Sequence, residues 1–406
     1  MNAYFDNNSA TRIDDKVFEA MLPFLRAEYG NPQSMNTPGM FAKDAIESAR
    51  AKVAAFIGAK PNEIIFTSCG SEANNLAIKG IAEANAQKGK HIIVSAIEHF
   101  SVLNAAKRLS QQGFEVTLLP VDGMGLVDPS VLKKALRSDT VLVSVQMANQ
   151  EIGTIQPARE LAGIAQGSGI LFHTDAIAAA ATMPIDVVSL GVNALSISAT
   201  MFHGPKGAAA LYVKKGTRMI PQIDGGVQED GKRAGTENVP AIIGMGLACE
   251  TSKGIRDKAS SNMALLRDRL INELPKLVKY VYLNGHPTKR LANNVDFSVE
   301  FIEGEGMMLF LDQKGISVTS GSACANKALK MSHVLSAIKV ETALGQGSLL
   351  ITLSKYTTAA EIDYFLKEFP PIVEKLRSMS PLYSHFQKTG KRMIAGPGTD
   401  YDHCDA

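Results

Sequence analysis

The sequence predicts an α/β protein with a mostly parallel central sheet, helices on both faces, and a smaller α+β C-terminal domain. Three observations carry that prediction. Short β-rich runs of strand length recur through the first half of the chain: EIIFTS, HIIVSA, EVTLLPV, TVLVSVQMA, GILFHTDA and NALSIS. Stretches with helical spacing of apolar residues separate them, including residues 38–58 (PGMFAKDAIESARAKVAAFIG) and 71–88. Near residue 254 the rhythm changes to a long charged helical pattern, fewer strands and a last helix near 359–377. Strands alternating with helices need crossover connections, and these produce parallel sheets covered on both faces.

The expected organisation follows the chain. Residues 1–14 read as a segment packing with the small domain, 15–253 as the large α/β domain and 254–380 as the small domain. After Pro381 the sequence LYSHFQKTGKRMIAGPGTDYDHCDA loses periodicity and gains Gly, Pro and polar residues, so 381–406 reads as a partly disordered tail. Its His403 and Cys404, beside two acidic residues, form a weak metal-binding pattern, against which a plain tail is the simpler reading.

Composition narrows the function classes. The 406 residues carry a formal net charge of only +2, with 45% hydrophobic and 20% charged residues, which argues against a nucleic-acid or membrane-surface partner. The start MNAYFDNNSATRIDD has neither the basic start nor the apolar run of a signal peptide, so a cytoplasmic protein is expected. Cys69, Cys249, Cys324 and Cys404 show no CxxC spacing, so neither a disulfide framework nor a four-thiolate zinc site is implied.

Chemistry-bearing residues fall at the C-terminal ends of the predicted strands, where ligands of such sheets bind. TSCGSEANN follows a strand and opens a helix: Gly70 admits close backbone approach, and Ser71 with the first amides would hold a phosphate or merely cap the helix. His99 in SAIEHFSV would stack on a flat ring or cap a helix. Asp175 in FHTDAIA is a carboxylate that, if buried, needs a cation or donor, a need that a protonated pyridine nitrogen would meet. Cys324 in TSGSACANKALKMSHVL sits in a small-residue loop, a setting that suits a nucleophilic thiol better than a packed one.

In this order the motifs resemble the NifS/IscS-type cysteine desulfurases, class-V aminotransferase-like enzymes of the fold-type I pyridoxal-phosphate group. The resemblance runs from AYFDNNSATRID through GNPQS, FTSCGSEANN, EHFSV, ANQEIGTIQP, HTDA, GPKGAAALYV, RAGTENVPAIIG and GSAC to SPLY. It implies pyridoxal phosphate as cofactor and L-cysteine as substrate. It also implies a homodimer, an iron–sulfur scaffold protein as partner, and Cys324 as the persulfide-forming catalytic residue. By the same resemblance, Gly70 and Ser71 match the phosphate turn, His99 the ring-stacking catalytic residue, and Asn149 and Asp175 the groups facing the pyridine. Ser198 matches a second phosphate contact, and Thr236 a phosphate contact supplied across the dimer.

The departures are equally specific. Where the family carries its imine-forming lysine, SISATMFHGPKG has Met201, preceded by Thr200 in place of a histidine. A thioether cannot form an imine. Ala178 stands for a glutamine, Leu350 for the arginine that holds the substrate carboxylate, and Asn36 for a histidine after GNPxSx. Lys206 and Lys327 are remote candidates for the missing amine, and Lys355 would replace the arginine only as a point charge. Two readings result: a desulfurase-like protein in which Cys324 carries sulfur for iron–sulfur assembly, or a pyridoxal-independent dimer. In the second, the dimer docks a scaffold and uses Cys324 to accept sulfide or to ligate a cluster shared with its partner.

Overall fold

The computed structural model describes residues 1–320 and 331–392. In chain order the strands are β1 (Ala3–Tyr4), β2 (Ile64–Thr67), β3 (His91–Ser95), β4 (Glu115–Leu119), β5 (Thr140–Ser144) and β6 (Leu171–Asp175). They continue with β7 (Ala194–Ser198), β8 (Ala209–Val213), β9 (Val281–Leu283), β10 (Asn294–Val299), β11 (Ile316–Ser317) and β12 (Ser348–Thr352).

The main sheet has the order β2-β8-β7-β6-β5-β3-β4. Pairing is parallel from β7 across to β4, while β8 runs antiparallel to both β7 and β2. The apolar runs explain the arrangement. β2, β3, β5, β7 and β8 are buried along their whole length, as strands covered on both faces must be, whereas the edge strand β4 exposes Glu115 and Leu118.

Helices start and stop at chemically legible points. Asn36 caps the helix Thr37–Ile57 by accepting from the Gly39 amide, and Gly58 ends it in the left-handed conformation at φ 70°. That helix crosses the helix Val239–Leu277 closely: a Cβ on Gly246 would sit 2.8 Å from Ala49. The second helix spans 39 residues and runs straight through residue 253, so the two units share it rather than meeting at its start. Its first half packs Val239, Ile242, Met245 and Cys249 into the large core; its second half packs Met263, Leu270 and Leu274 into the small one.

The small unit is a three-stranded antiparallel sheet, β12-β10-β9, covered by the helix Ala359–Ser378. The first residues of the chain complete it: β1 pairs with β11, and Phe5 meets Phe365 edge-on at 6.0 Å. The same segment then reaches the large unit, where the Thr11 hydroxyl donates to the Thr200 carbonyl at 2.7 Å.

Of the segment 381–406, expected as a partly disordered tail, residues 381–392 are described. Pro381–Thr389 is a helix, capped by Ser380 and held by Phe386 stacking on Phe301 at 4.9 Å. His403 and Cys404 lie outside the described residues. Among the described residues no helix is long and apolar enough to cross a membrane.

Candidate functional site

A cavity of about 500 Å³ opens at the C-terminal ends of β2, β3, β5, β6 and β7. The large unit supplies Ser68 to Ser71, His99, Gln146, Glu151, Asp175 and Ser198; the chain start supplies Asn8 and Ser9, and the small unit Thr319, Ser320 and Leu350. A larger groove of about 920 Å³ beside Pro381–Thr389 contains none of the residues singled out by sequence.

The β2 end turns directly into the helix Gly70–Ala84, whose N-cap residue Cys69 makes no side-chain capping bond. The first amides and the exposed Ser71 hydroxyl therefore border the cavity as an anion cradle. Gly70 leaves room for Ile177 there: a Cβ would lie 2.2 Å from the Ile177 Cδ1 atom, so a side chain would make the end of Ile177 shift. Ser198, at the end of β7, adds a hydroxyl that shares a 3.1 Å hydrogen bond with Thr200.

Asp175 ends β6 and is 7% exposed. Its carboxylate accepts from the Asn74 amide at 2.7 Å and from the Ile177 backbone at 2.9 Å. Burial holds its pKa above the ordinary carboxyl value, and no lysine or arginine among the described residues pairs with it. Asn74 is itself held by Ser101 at 2.9 Å, and its carbonyl oxygen has no partner among the described residues. His99 caps the helix Phe100–Gln111 through Nδ1, which accepts from the Ser101 amide at 3.1 Å. That bond leaves Nε2 as the protonated nitrogen of the neutral ring and fixes the ring at the cavity edge. His99 thus caps this helix and lines the cavity as well.

Behind this wall lies a second acid. Glu98 is fully buried; one oxygen accepts from the Gln146 amide at 2.7 Å and the other has no partner among the described residues. Burial, with the nearby Asp175 charge, pushes its pKa well above the usual carboxyl range.

The structure thus brings Gly70, Ser71, His99, Asp175 and Ser198 to one cavity. It does not bring Asn149 there. That residue is fully buried, and its amide is spent on backbone: it donates to the Ile97 carbonyl at 3.0 Å and accepts from the Glu151 and Ile152 amides at 2.9 Å each. Asn149 braces the loop, and its neighbour Gln150 faces the cavity. Thr236 is exposed and does not line this cavity; its loop is anchored by Arg233 on Glu72 at 2.9 Å. Cys324 and Lys327 lie outside the described residues, which resume at Met331.

Four of the five departures converge. Thr200, Met201, Ala178 and Leu350 all line the cavity. Asn36 does not, because it is an exposed helix cap. Lys355 cannot stand in for the missing arginine: its ammonium is paired with Asp14 at 2.5 Å, away from the cavity. Lys206 is exposed and is the only lysine or arginine among the described lining residues.

Sequence reasoning passed over Glu151, although it stands in the quoted ANQEIGTIQP. Glu151 lines the cavity, and its buried carboxyl accepts from the hydroxyl of Ser332, the N-cap of the helix His333–Ala337 in the small unit. Burial pushes its pKa up to about 8, with the Asp296 charge adding. Only the fold makes this visible, since nothing in its local sequence distinguishes it from a surface glutamate.

The donor set suits part of pyridoxal phosphate. An amide cradle with Ser71 and Ser198 fits the phosphate, and a buried carboxylate without a cationic partner fits a protonated ring nitrogen. At the position of Met201 itself there is no amine to form an imine; Lys206 is the only amine among the described lining residues.

Comparison with known proteins agrees with this geometry. Residues 3–365 match the aminotransferase class-V family. The chain is 50% identical over 389 residues to the cysteine desulfurase IscS of Dictyoglomus turgidum, covering 96% of this chain and 98% of that protein. It is 40% identical over 398 residues to the cysteine desulfurase NifS of Azotobacter vinelandii, covering 98% of each. Among solved structures, a NifS-like protein superimposes with a TM-score of 0.87 at 39% identity, covering 93% of this chain and all of that one, 100%.

Proposed function

Since the chain belongs to the class-V aminotransferase family, among the cysteine desulfurases of the IscS and NifS kind, we propose that it mobilises sulfur for iron–sulfur cluster assembly with Cys324 as the sulfur-carrying residue. The observation that carries this is the cavity itself: family-matching positions from four strand ends meet there, and Thr319 and Ser320, the last described residues before Cys324, stand on its rim. Cysteine is the expected sulfur source, and a homodimer sharing Thr236 with the opposite cavity is the expected assembly.

In this reading Gly70, Ser71 and Ser198 hold the cofactor phosphate, Asp175 holds the proton on the ring nitrogen, and His99 bounds the ring face. When bound, pyridoxal phosphate supplies an electron sink for the amino-acid substrate. Asn74 keeps Asp175 aimed at the cavity, and Ser101 keeps His99 from swinging away.

One observation favours a second reading. Met201, Ala178 and Leu350 remove an amine, an amide and a guanidinium from one wall, so binding of an amino-acid carboxylate loses its bidentate partner. A dimer that docks an iron–sulfur scaffold, with the Cys324 thiolate ligating a cluster, needs none of the three. The test is persulfide detection by mass spectrometry on the Cys324 peptide after incubation with L-cysteine and pyridoxal phosphate, beside iron–sulfur reconstitution with parent and Cys324→Ser. Persulfide on that peptide supports the first reading. Its absence, with reconstitution still dependent on Cys324, supports the second. Reconstitution that is indifferent to Cys324→Ser sinks both.

A further inference from the structure

The changed cavity wall alters what the site recognises, not only whether it turns over. The two lost cationic positions are occupied by Met201 and Leu350, and the retained acids are Asp175 and Glu151. Both acids are buried, and neither is paired with a lysine or arginine among the described residues: Asp175 is met by amides and Glu151 by the Ser332 hydroxyl. The only lysine or arginine left among the described lining residues, Lys206, is exposed and lies beside Gly207 at the mouth of the GPKG turn.

A wall with this charge balance discourages an anionic amino acid and favours a cation near the ring. The apolar side chains of Met201, Ala178 and Ile177 can cover a flat heterocycle without offering it a covalent partner. The phosphate cradle and the Asp175 carboxylate remain in place. An aldehyde loses its usual covalent anchor here, whereas an amine on the same ring loses nothing and gains carboxyl partners.

We propose that the cavity binds the amine form of the cofactor, pyridoxamine 5′-phosphate, non-covalently and in preference to the aldehyde form. The inference rests on the pyridoxal-type reading of the site and names the ligand that this particular wall selects. Asp175 meets the ring nitrogen, Ser71 and Ser198 with the helix amides meet the phosphate, and Glu151 is the carboxyl available to the ligand ammonium. Burial keeps Glu151 neutral when the cavity holds no cation, and an ammonium beside it is the charge that draws its proton off.

The test is equilibrium titration of the full chain with three phosphorylated pyridines: pyridoxamine 5′-phosphate, pyridoxal 5′-phosphate and pyridoxine 5′-phosphate, the last being a neutral alcohol of nearly the same shape. The amine should bind on the order of tenfold more tightly than the alcohol, as one charge-assisted hydrogen bond warrants. Glu151→Gln should erase that preference while leaving the alcohol's affinity in place, and Asp175→Asn should weaken all three. Borohydride treatment of the aldehyde complex should leave the chain mass unchanged.

Equal affinity for amine and alcohol overturns the proposal. So does tighter binding of the aldehyde with a borohydride-stable adduct on the Lys206 peptide, which would make Lys206 the site's amine. Failure of all three ligands to bind overturns both this inference and the pyridoxal-type reading. It leaves the sulfur-carrying role of Cys324 to be decided separately by the Cys324→Ser comparison.

Discussion

Glu151→Gln also tests the electrostatics of the cavity wall without any ligand. The folded chain holds this carboxyl neutral up to about 8, whereas its ordinary value is 4.5. Between those values the unfolded chain has lost the proton and the folded chain keeps it, so the stability that Glu151 contributes is fully present below pH 4.5 and falls as pH rises towards 8. At about 1.4 kcal/mol per pH unit the ceiling is roughly 5 kcal/mol. Because Glu151 lines an open cavity and local opening admits water, part of this is relieved, and about 2–3 kcal/mol is the expected change between pH 5 and pH 8. Glutamine mimics the neutral acid and can still accept from Ser332. The variant should match the parent near pH 5 and exceed it by that amount near pH 8, measured as urea midpoints at four pH values. Asp296, pushed up to about 7 by burial, adds a slope of the same sign in both proteins; because its charge also raises Glu151, the difference between the curves includes the coupling of the two acids as well as Glu151 itself. Parent and variant curves that run parallel from pH 5 to 8 would show that Glu151 is ionised in the folded chain, and the account of this wall would be wrong.

Three further outcomes follow from the same geometry. Glu229→Ala should cost about 3 kcal/mol in urea unfolding, because Glu229 makes two bonds to the buried Arg50, at 2.7 and 2.8 Å, and accepts from the Phe66 amide; a loss under about 1 kcal/mol would mean that Glu47 alone satisfies the guanidinium. Asn149→Ala should lower stability by about 2–4 kcal/mol, since it strands backbone groups of the 149–152 loop, whereas Gln150→Ala should leave the unfolding midpoint in place; the reverse pattern would restore Asn149 to the cavity. Met201→Lys should fold, because its ammonium faces an open cavity, yet release little sulfide from L-cysteine with pyridoxal phosphate while Thr200, Ala178 and Leu350 remain. Full desulfurase activity in that single variant would show the other three substitutions to be neutral.

The α/β class and the strand ends were legible in the sequence because both are local signals. A buried parallel strand must be apolar throughout, and the residue after it is placed by the strand itself; Gly70, Asp175 and Ser198 each sit within a few residues of such an end. What escaped depends on turn phase or on distant partners. Asn149 and Gln150 are adjacent, and only the path of the loop decides which side chain faces the cavity. Glu151 owes its burial to Ser332, which lies 181 residues away. The helix Val239–Leu277 continues through Gly254 with its first half buried in one core and its second half in another, and which core each half meets is set by distant parts of the chain.

The same distinction decides how to weigh the departures from the family pattern. Read along the chain, Ala178, Thr200, Met201 and Leu350 are scattered substitutions, each tolerable as drift. In the fold they lie on one cavity, and the supports behind that cavity are intact: Asn74 still holds Asp175 at 2.7 Å, and His99 is still pinned by the Ser101 amide. Drift after a loss of function would have no reason to spare a buried Asn–Asp pair, because keeping a carboxylate out of water is costly and an apolar pair would be more stable. A wall that loses its amine and guanidinium while its buried carboxylate stays partnered is what selection for a different ligand, held without a covalent bond, would leave behind. Asn36, which lies on the surface and serves only as a helix cap, does not belong to that set.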